Sequence, residues 1–308
     1  MSIFKRYVDP ALRDLLRRAG LSVRRYPPRP VDLRGVTDDP IAARYLVAGQ
    51  AALLEVPLER CRGLAPLGFS LGPDTPHPFV STARALLADP RISYERSPLR
   101  IYYENFQPAR ASEVLDFRTF HAPQLAALPP LAASEPWEAR SPEEIQAVME
   151  SLITQENHAQ KVHLDASQGV PFWGPVIPKK GAIEIERLRK ICASIQRKGF
   201  KRHDGLDGDV TGDLLLNGTT WAIRLRGGQH RAAVLAALGF ERVPIRIPLN
   251  EPRAVVYRQD VNQWPQVRNG LFTADEALAI FDRIWAANPP PQAVEAAQLA
   301  ASLCERIE

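Results

Sequence analysis

Cysteine and methionine are scarce, at three and two residues in 308. Cys61, Cys192 and Cys304 are far apart, odd in number and form no C-x-x-C pair, so they offer neither a disulfide framework nor a zinc site. Buried thiols in a reducing compartment are the expectation. No apolar stretch reaches the ~18 residues of a membrane span. The opening text MSIFKRYVDPALRDLLRRAG lacks a long apolar core and becomes charged at once, unlike a signal peptide. A cytoplasmic protein without a transmembrane segment is expected. A charge bias is missing too: 39 Lys and Arg against 35 Asp and Glu give +4, which demands no polyanionic partner. Proline, in contrast, is abundant at 28 and spread along the chain, so many connections must be stiff and non-helical.

The length exceeds the usual single domain and predicts two structural units. Asp9-Pro10 and Asp39-Pro40 each read as an N-cap followed by proline at the first helical position, and Gly20 ends the first helix. From about 63 to 135 the text is proline-rich and weakly periodic, with LRIYYENF a candidate strand. Ser141 and Glu144 form a capping box for a helix to about Glu156. A polar loop follows, then an amphipathic helix in which Ile185, Leu188, Ile191, Cys192 and Ile195 share a face and Gly199 is the stop. Asn217-Gly218 between DLLL and TWAIRL marks a β-hairpin, and FERVPIRI a further strand. Thr273 and Glu276 cap another helix, Asn288 and three prolines break it, and an alanine-rich helix closes the chain. The expected class is α/β (α+β). It divides into an N-terminal region of unread role (1–138), a compact unit (139–250) and a helical extension (251–308).

The text RLRGGQHRAAVLAAL must turn from strand to helix within about four residues. Gly227 and Gly228 permit that tight path and leave backbone N–H groups uncovered at a positive helix end. Such a turn binds phosphate readily. Gln229 and His230 can add neutral donors, and Arg231 a bidentate cationic clamp. The same spacing serves equally as a plain tight turn.

Gly228-Gln229-His230-Arg231, then Leu238-Gly239 and Val243-Pro244-Ile245, resembles the ParB/sulfiredoxin-like superfamily. The upstream helix, with Ser194-Ile195 and Gly199, is similar to that superfamily's first helix, so the likeness covers roughly residues 170 to 250. The resemblance implies a ParB/sulfiredoxin-like nucleotide-binding domain with phosphates at the Gly-Gly-Gln-His-Arg turn. Gln229 stands where sulfiredoxins carry their cysteine, which removes that chemistry, and the tail after 250 lacks the helix-turn-helix of partition proteins. His230 fits the free serine kinase-like branch. The resemblance thus implies a kinase-type phosphotransferase using ATP, ADP or CTP with Mg²⁺ on a hydroxyl of a small metabolite or sugar. Where that branch has an acidic base this chain reads Lys179-Lys180-Gly181-Ala182, and the nearest carboxylates are Glu184 and Glu186. Glu184 is therefore the expected base, with His230 as its catalytic partner.

FWGPVIPKKG suggests a substrate wall from Trp173, with Lys179 and Lys180 near the phosphates; core anchoring by Phe172 and Trp173 reads as well. Asp204, Asp207, Asp209 and Asp213, with His203, offer carboxylates for Mg²⁺ but lack an EF-hand's spacing, and turns explain them equally. His158, His163 and Asp165 have no ligand spacing. Nine cations between Lys179 and Arg202 against Glu184 and Glu186 make a locally basic surface. With a net charge of +4, a phosphorylated substrate or plain solvation fits that surface better than nucleic acid. The alternative function is a non-catalytic ParB-like, nucleotide-responsive regulator binding DNA or a protein partner; a nuclease is a weaker third.

Overall fold

The computed structural model describes residues 29–116, 123–202, 209–251 and 253–302. The readings at Asp9 to Gly20, at His203, Asp204 and Asp207, and at Cys304 lie outside the described residues. Strands are β1 (Val31–Asp32), β2 (Ala52–Pro57), β3 (Cys61–Gly63), β4 (Phe69–Ser70), β5 (Val210–Asn217), β6 (Thr220–Gly227), β7 (Arg242–Ile247) and β8 (Val255–Tyr257). The α-helices are α1 (Pro40–Leu46), α2 (Pro78–Ala88), α3 (Pro98–Asn105), α4 (Ala111–Val114), α5 (Pro123–Ala127), α6 (Pro142–Ala159), α7 (Pro178–Lys198), α8 (Gln229–Ala237), α9 (Pro265–Arg268), α10 (Ala274–Trp285) and α11 (Pro291–Ser302). The mixed α/β class expected from the sequence is the one observed.

The strands make one mixed sheet in the order β1-β2-β7-β5-β6-β3-β4, with β8 on β5. At its centre β5 and β6 pair antiparallel as the expected hairpin. Asn217 faces Thr220, so the loop residues are Gly218 and Thr219, one position later than the dipeptide signal. β5 is buried along nearly its whole length, as a strand covered on both faces must be, whereas β7 alternates with Val243, Ile245 and Ile247 inward. The helix pattern from 229 to 237 packs Ala232, Ala233, Val234 and Leu235 into the core against α2 and α7, and α11 covers α2 and α3.

Three expectations change. The region expected to be irregular contributes β1 to β4: β2 pairs antiparallel with β7 and β3 parallel with β6. The boundary expected at 138/139 therefore does not coincide with a break in the sheet. LRIYYENF is helical rather than extended, because Ser97 caps and Pro98 starts α3, and the apolar positions obey a helical period. Tyr102 and Tyr103 are buried there, their hydroxyls donating to the carbonyls of Phe172 (3.0 Å) and Pro171 (2.9 Å). Finally, α7 starts at Pro178 rather than near Ile183, so Lys179 and Lys180 lie in its first turn. The capping boxes at Ser141 and Thr273 form as read. Cys61 and Cys192 are buried free thiols whose burial pushes them up to about 12 and about 11. No helix of the described residues is long and apolar enough to cross a membrane.

Candidate functional site

β6 ends at Gly227, and Gly228 caps α8 with φ 75° and ψ 20°. The start of β5 closes on this turn, with Thr211 opposite Gly227. A Cβ on Gly228 would stand 2.8 Å from Val210 Cα, and one on Gly227 2.9 Å from Thr211 Oγ1. Only glycine fits both the left-handed backbone and that approach. Gln229 opens the helix, but its side chain is already spent. Its Oε1 accepts from the Leu64 amide at 3.1 Å and its Nε2 donates to the Leu225 carbonyl at 3.1 Å. It braces the loop after β3 against the end of β6, so its side chain is not the phosphate donor expected. Arg231 is half-buried on the same first turn.

His230 turns inward. Its Nε2 lies 2.7 Å from Glu184 Oε2, and Phe79 stacks on its ring at 4.5 Å between centroids. Lys180 donates from Nζ to Glu184 Oε1 at 2.6 Å and to Asn157 Oδ1 at 2.7 Å. Arg187 approaches both Glu184 oxygens at 3.4 Å and Glu156 at 3.2 Å. Glu184 is 0% and Lys180 1% exposed. Burial opposes the charge on Glu184, yet the bond from His230 and the cations Arg187 and Lys180 outweigh it and hold the carboxyl well below the usual range. Burial and Arg187 depress His230, so the neutral ring donates its Nε2 proton to Glu184. Glu184 is fully buried and both its oxygens are already bonded, so it presents no open face to a substrate hydroxyl, against the base role expected of it. It orients His230 instead.

Beside this cluster, His77 caps α2, its Nδ1 accepting from the Phe79 amide at 3.2 Å. That bond leaves the proton on Nε2, which is buried without a partner. The imidazole is fully buried, and burial drives it down to about 3.

A cavity of about 640 Å³ includes Gln229 in its lining. Its floor is the charged face of the β5–β6 hairpin. Arg224 grips Glu135 with both Nε and Nη2, the latter at 2.8 Å, and donates from Nη1 to Asp213 at 3.0 Å. Arg226 reaches Asp213 at 3.3 Å and Glu251 at 2.8 Å. At the rim Arg253 and Arg140 donate to Glu138 at 2.6 and 2.8 Å. The rest of its lining is largely apolar, with Ile145, Val148, Met149 and Leu152 of α6 together with Phe172. Burial raises the carboxyls of Asp213 and Glu135 despite their arginines. Asp213 lies two residues along β5 from Thr211, the partner of Gly227. Across the hairpin Asp213 stands opposite Arg224, three residues before Gly227, so at the rise of a strand its backbone is about 10 Å from the turn.

The structure thus brings together Gly227, Gly228, Gln229, His230, Glu184 and Lys180 around the start of α8. Lys179 is exposed and takes no part in the cluster. Trp173 lines a different cavity, of about 770 Å³, with Glu150, Thr154 and Asp165. Its neighbour Phe172 is the aromatic residue of the cavity at the turn. His158 and His163 meet edge to face at 5.2 Å, while Asp165 caps Ser167; no group of three potential metal ligands occurs among the described residues. Sequence reasoning missed Asn157, Arg187, His77 and Glu135. It also missed the pairing of Asp213 with Arg224: counted back from the Asn217-Gly218 signal Asp213 would face Ala222, and the loop at Gly218 and Thr219 sets it opposite Arg224 instead.

No family model, no curated protein and no solved structure matches the chain, so the ParB/sulfiredoxin-like likeness rests on its quoted motifs.

Proposed function

We propose that the protein is a nucleotide-dependent phosphotransferase of the ParB/sulfiredoxin-like type, acting on a hydroxyl of a small metabolite or sugar in the cytoplasm. The observation that carries this reading is the position of Asp213. Its carboxyl has a raised proton affinity and lines a ligand-sized cavity that also includes Gln229, the first residue of the helix opened by the glycine turn. The donor is ATP, ADP or CTP, its terminal phosphates against the backbone N–H groups of Gly228, Gln229 and His230, with Arg231 as counter-charge. In the transfer, the acceptor hydroxyl gives its proton to Asp213 and its oxygen forms the new P–O bond. The bond to the leaving nucleotide breaks, and its electrons go to the departing phosphate oxygen. His230 and Glu184 hold the first turn of α8 in place; they are positioning residues. Mg²⁺ carried on the phosphates needs one or two protein carboxylates and supplies charge neutralisation. Glu251, half-exposed at the rim and held by a single arginine, suits that role.

Calorimetric titration with ATP, ADP and CTP, with and without Mg²⁺, tests the reading, alongside ³¹P NMR of candidate hydroxyl substrates. Binding weakened at least tenfold by Arg231→Ala and a new phosphate-ester resonance are expected. Wild-type protein that binds no nucleotide at millimolar concentration sinks it.

A second reading is a nucleotide-responsive regulator without turnover. It is favoured by the mutual satisfaction of Glu184, Lys180 and His230 inside the core. Its nucleic-acid form loses ground. Of the basic residues on α7, Lys180 and Arg187 turn to Glu184, and Arg189 donates to the carbonyls of Pro90 and Ile92. Duplex-DNA affinity with a steep salt dependence and no phosphotransfer would favour this reading over the first.

A further inference from the structure

The cavity at the turn contains a contradiction if it is read as a phosphate pocket. Its lining holds four arginines, at 140, 224, 226 and 253, and four carboxylates, at 135, 138, 213 and 251. The charges sum to zero, so a polyanion entering it meets as many carboxylates as guanidinium groups. Each charge is already paired with an opposite one, so the lining as a whole offers a polyanion no excess of positive charge. What remains free is hydrogen-bonding capacity. A carboxylate accepts about four bonds and a guanidinium donates five. Asp213 spends one contact on each oxygen, and Arg226 meets Asp213 and Glu251 through one nitrogen.

A surface of alternating donors and acceptors, fixed in place by its own salt bridges, matches a ligand whose groups each donate and accept. Hydroxyl groups do both. In the same cavity Val148, Met149, Leu152 and Phe172 supply carbon surface, and Leu152 is 48% exposed. A lining that combines carbon surface with fixed donors and acceptors suits a ring that carries hydroxyls at its edge and C–H groups on its face. The volume of about 640 Å³ lies within the usual range of about 300–1,000 Å³ for small-molecule sites.

We infer that this cavity binds a neutral sugar or cyclic polyol, hydroxyls on the Asp213–Arg224–Arg226 floor and C–H face on the α6 wall. Its role as the phosphate acceptor rests on the phosphotransferase reading; its binding does not. Under that reading the two substrates meet at Gln229, the nucleotide on the helix side and the sugar on the sheet side.

Saturation-transfer difference NMR on the full chain tests the inference, using glucose, galactose, mannose and myo-inositol at millimolar concentration, with serine as a zwitterionic comparison. Transfer to the carbon-bound protons of at least one of the four is expected, weakened at least tenfold by Leu152→Glu and by Asp213→Asn. Leu152 is half-exposed, so its variant reports on the wall without unfolding the chain. The inference is overturned if none of the four gives a signal, if serine alone does, or if Leu152→Glu leaves the signal unchanged. ATP titration of the same samples separates the two claims. Sugar transfer without ATP binding supports the sugar site and removes the phosphotransferase. ATP binding without sugar transfer overturns the sugar site and leaves the phosphotransferase standing.

Discussion

Nε2 of His230 lies 2.7 Å from Oε2 of Glu184, linking the first turn of α8 to α7 across 46 positions of sequence. The other oxygen of Glu184 takes the Lys180 ammonium at 2.6 Å, and both partners of that bond are buried. The pair is therefore a matter of stability before it is one of chemistry. Glu184→Gln strands the Lys180 charge in the interior and is expected to cost about 3–5 kcal/mol in urea unfolding. Replacing Lys180 by Met in the same chain removes the stranded charge and should recover part of that loss. If the double variant is no more stable than Glu184→Gln, the cost does not come from the unpaired cation.

Acid should destabilise the fold from neutrality downward through His77. Its imidazole is held down to about 3 in the folded chain, against about 6.5 when unfolded. Between those values the unfolded chain takes a proton that the folded one refuses. Stability from this group is thus complete above pH 6.5 and falls by about 1.4 kcal/mol for each unit of acidification. His77→Asn keeps an acceptor for the Phe79 amide and removes the titration. A chain with Asn there should show a flatter dependence of unfolding free energy on pH between 6.5 and 4.

What the sequence displayed depended on distance. The hairpin and the boxes at Ser141 and Thr273 are set by neighbours within four residues; the boxes formed where expected and the hairpin loop one position later, at Gly218 and Thr219. The helix at Pro98 was legible in its Ser-Pro start but masked by its β-branched and aromatic composition. The pairing of β2 with β7 joins residues nearly two hundred positions apart, such as Leu54 with Ile245, and no local pattern encodes it. The junction of Glu184 with His230 was foreseen as two residues of one site, while its burial under Lys180 and Arg187 was not. Burial follows from how α7 packs on α8, which the periodicity of neither helix determines alone.

Two glycines with similar backbones should respond unequally to alanine. Gly218 has φ 60° and open space around its Cα, so Gly218→Ala costs about 1 kcal/mol for the backbone alone. Gly228 has φ 75°, and a Cβ there meets Val210 Cα at 2.8 Å. Gly228→Ala is expected to cost at least twice as much, because the obstacle is backbone. Equal losses in chemical denaturation would show that β5 yields at Val210.

Under the proposed phosphotransfer, Asp213 and Glu184 should separate kinetically. Asp213→Asn removes the proton acceptor and should lower kcat roughly 100-fold with little change in the KM for nucleotide. It should also abolish the rise of rate with pH that the ionising carboxyl produces. Glu184→Asp, which keeps the charge, should change kcat far less. Steady-state kinetics across pH 5 to 8 would distinguish the two, and a larger loss at Glu184 would return the base to α7.

The pairing of β2 with β7 and of β3 with β6 also dictates how the chain is made. When the ribosome has released residues up to 200, β1 to β4 exist but the three strands that join them, β5, β6 and β7, are still to come. Leu53, Leu54 and Val56, each almost wholly buried at the end, must wait with an unsatisfied strand edge for the last third of the molecule. A nascent chain of this design needs protection during synthesis, and a fragment that stops before β5 should aggregate rather than fold.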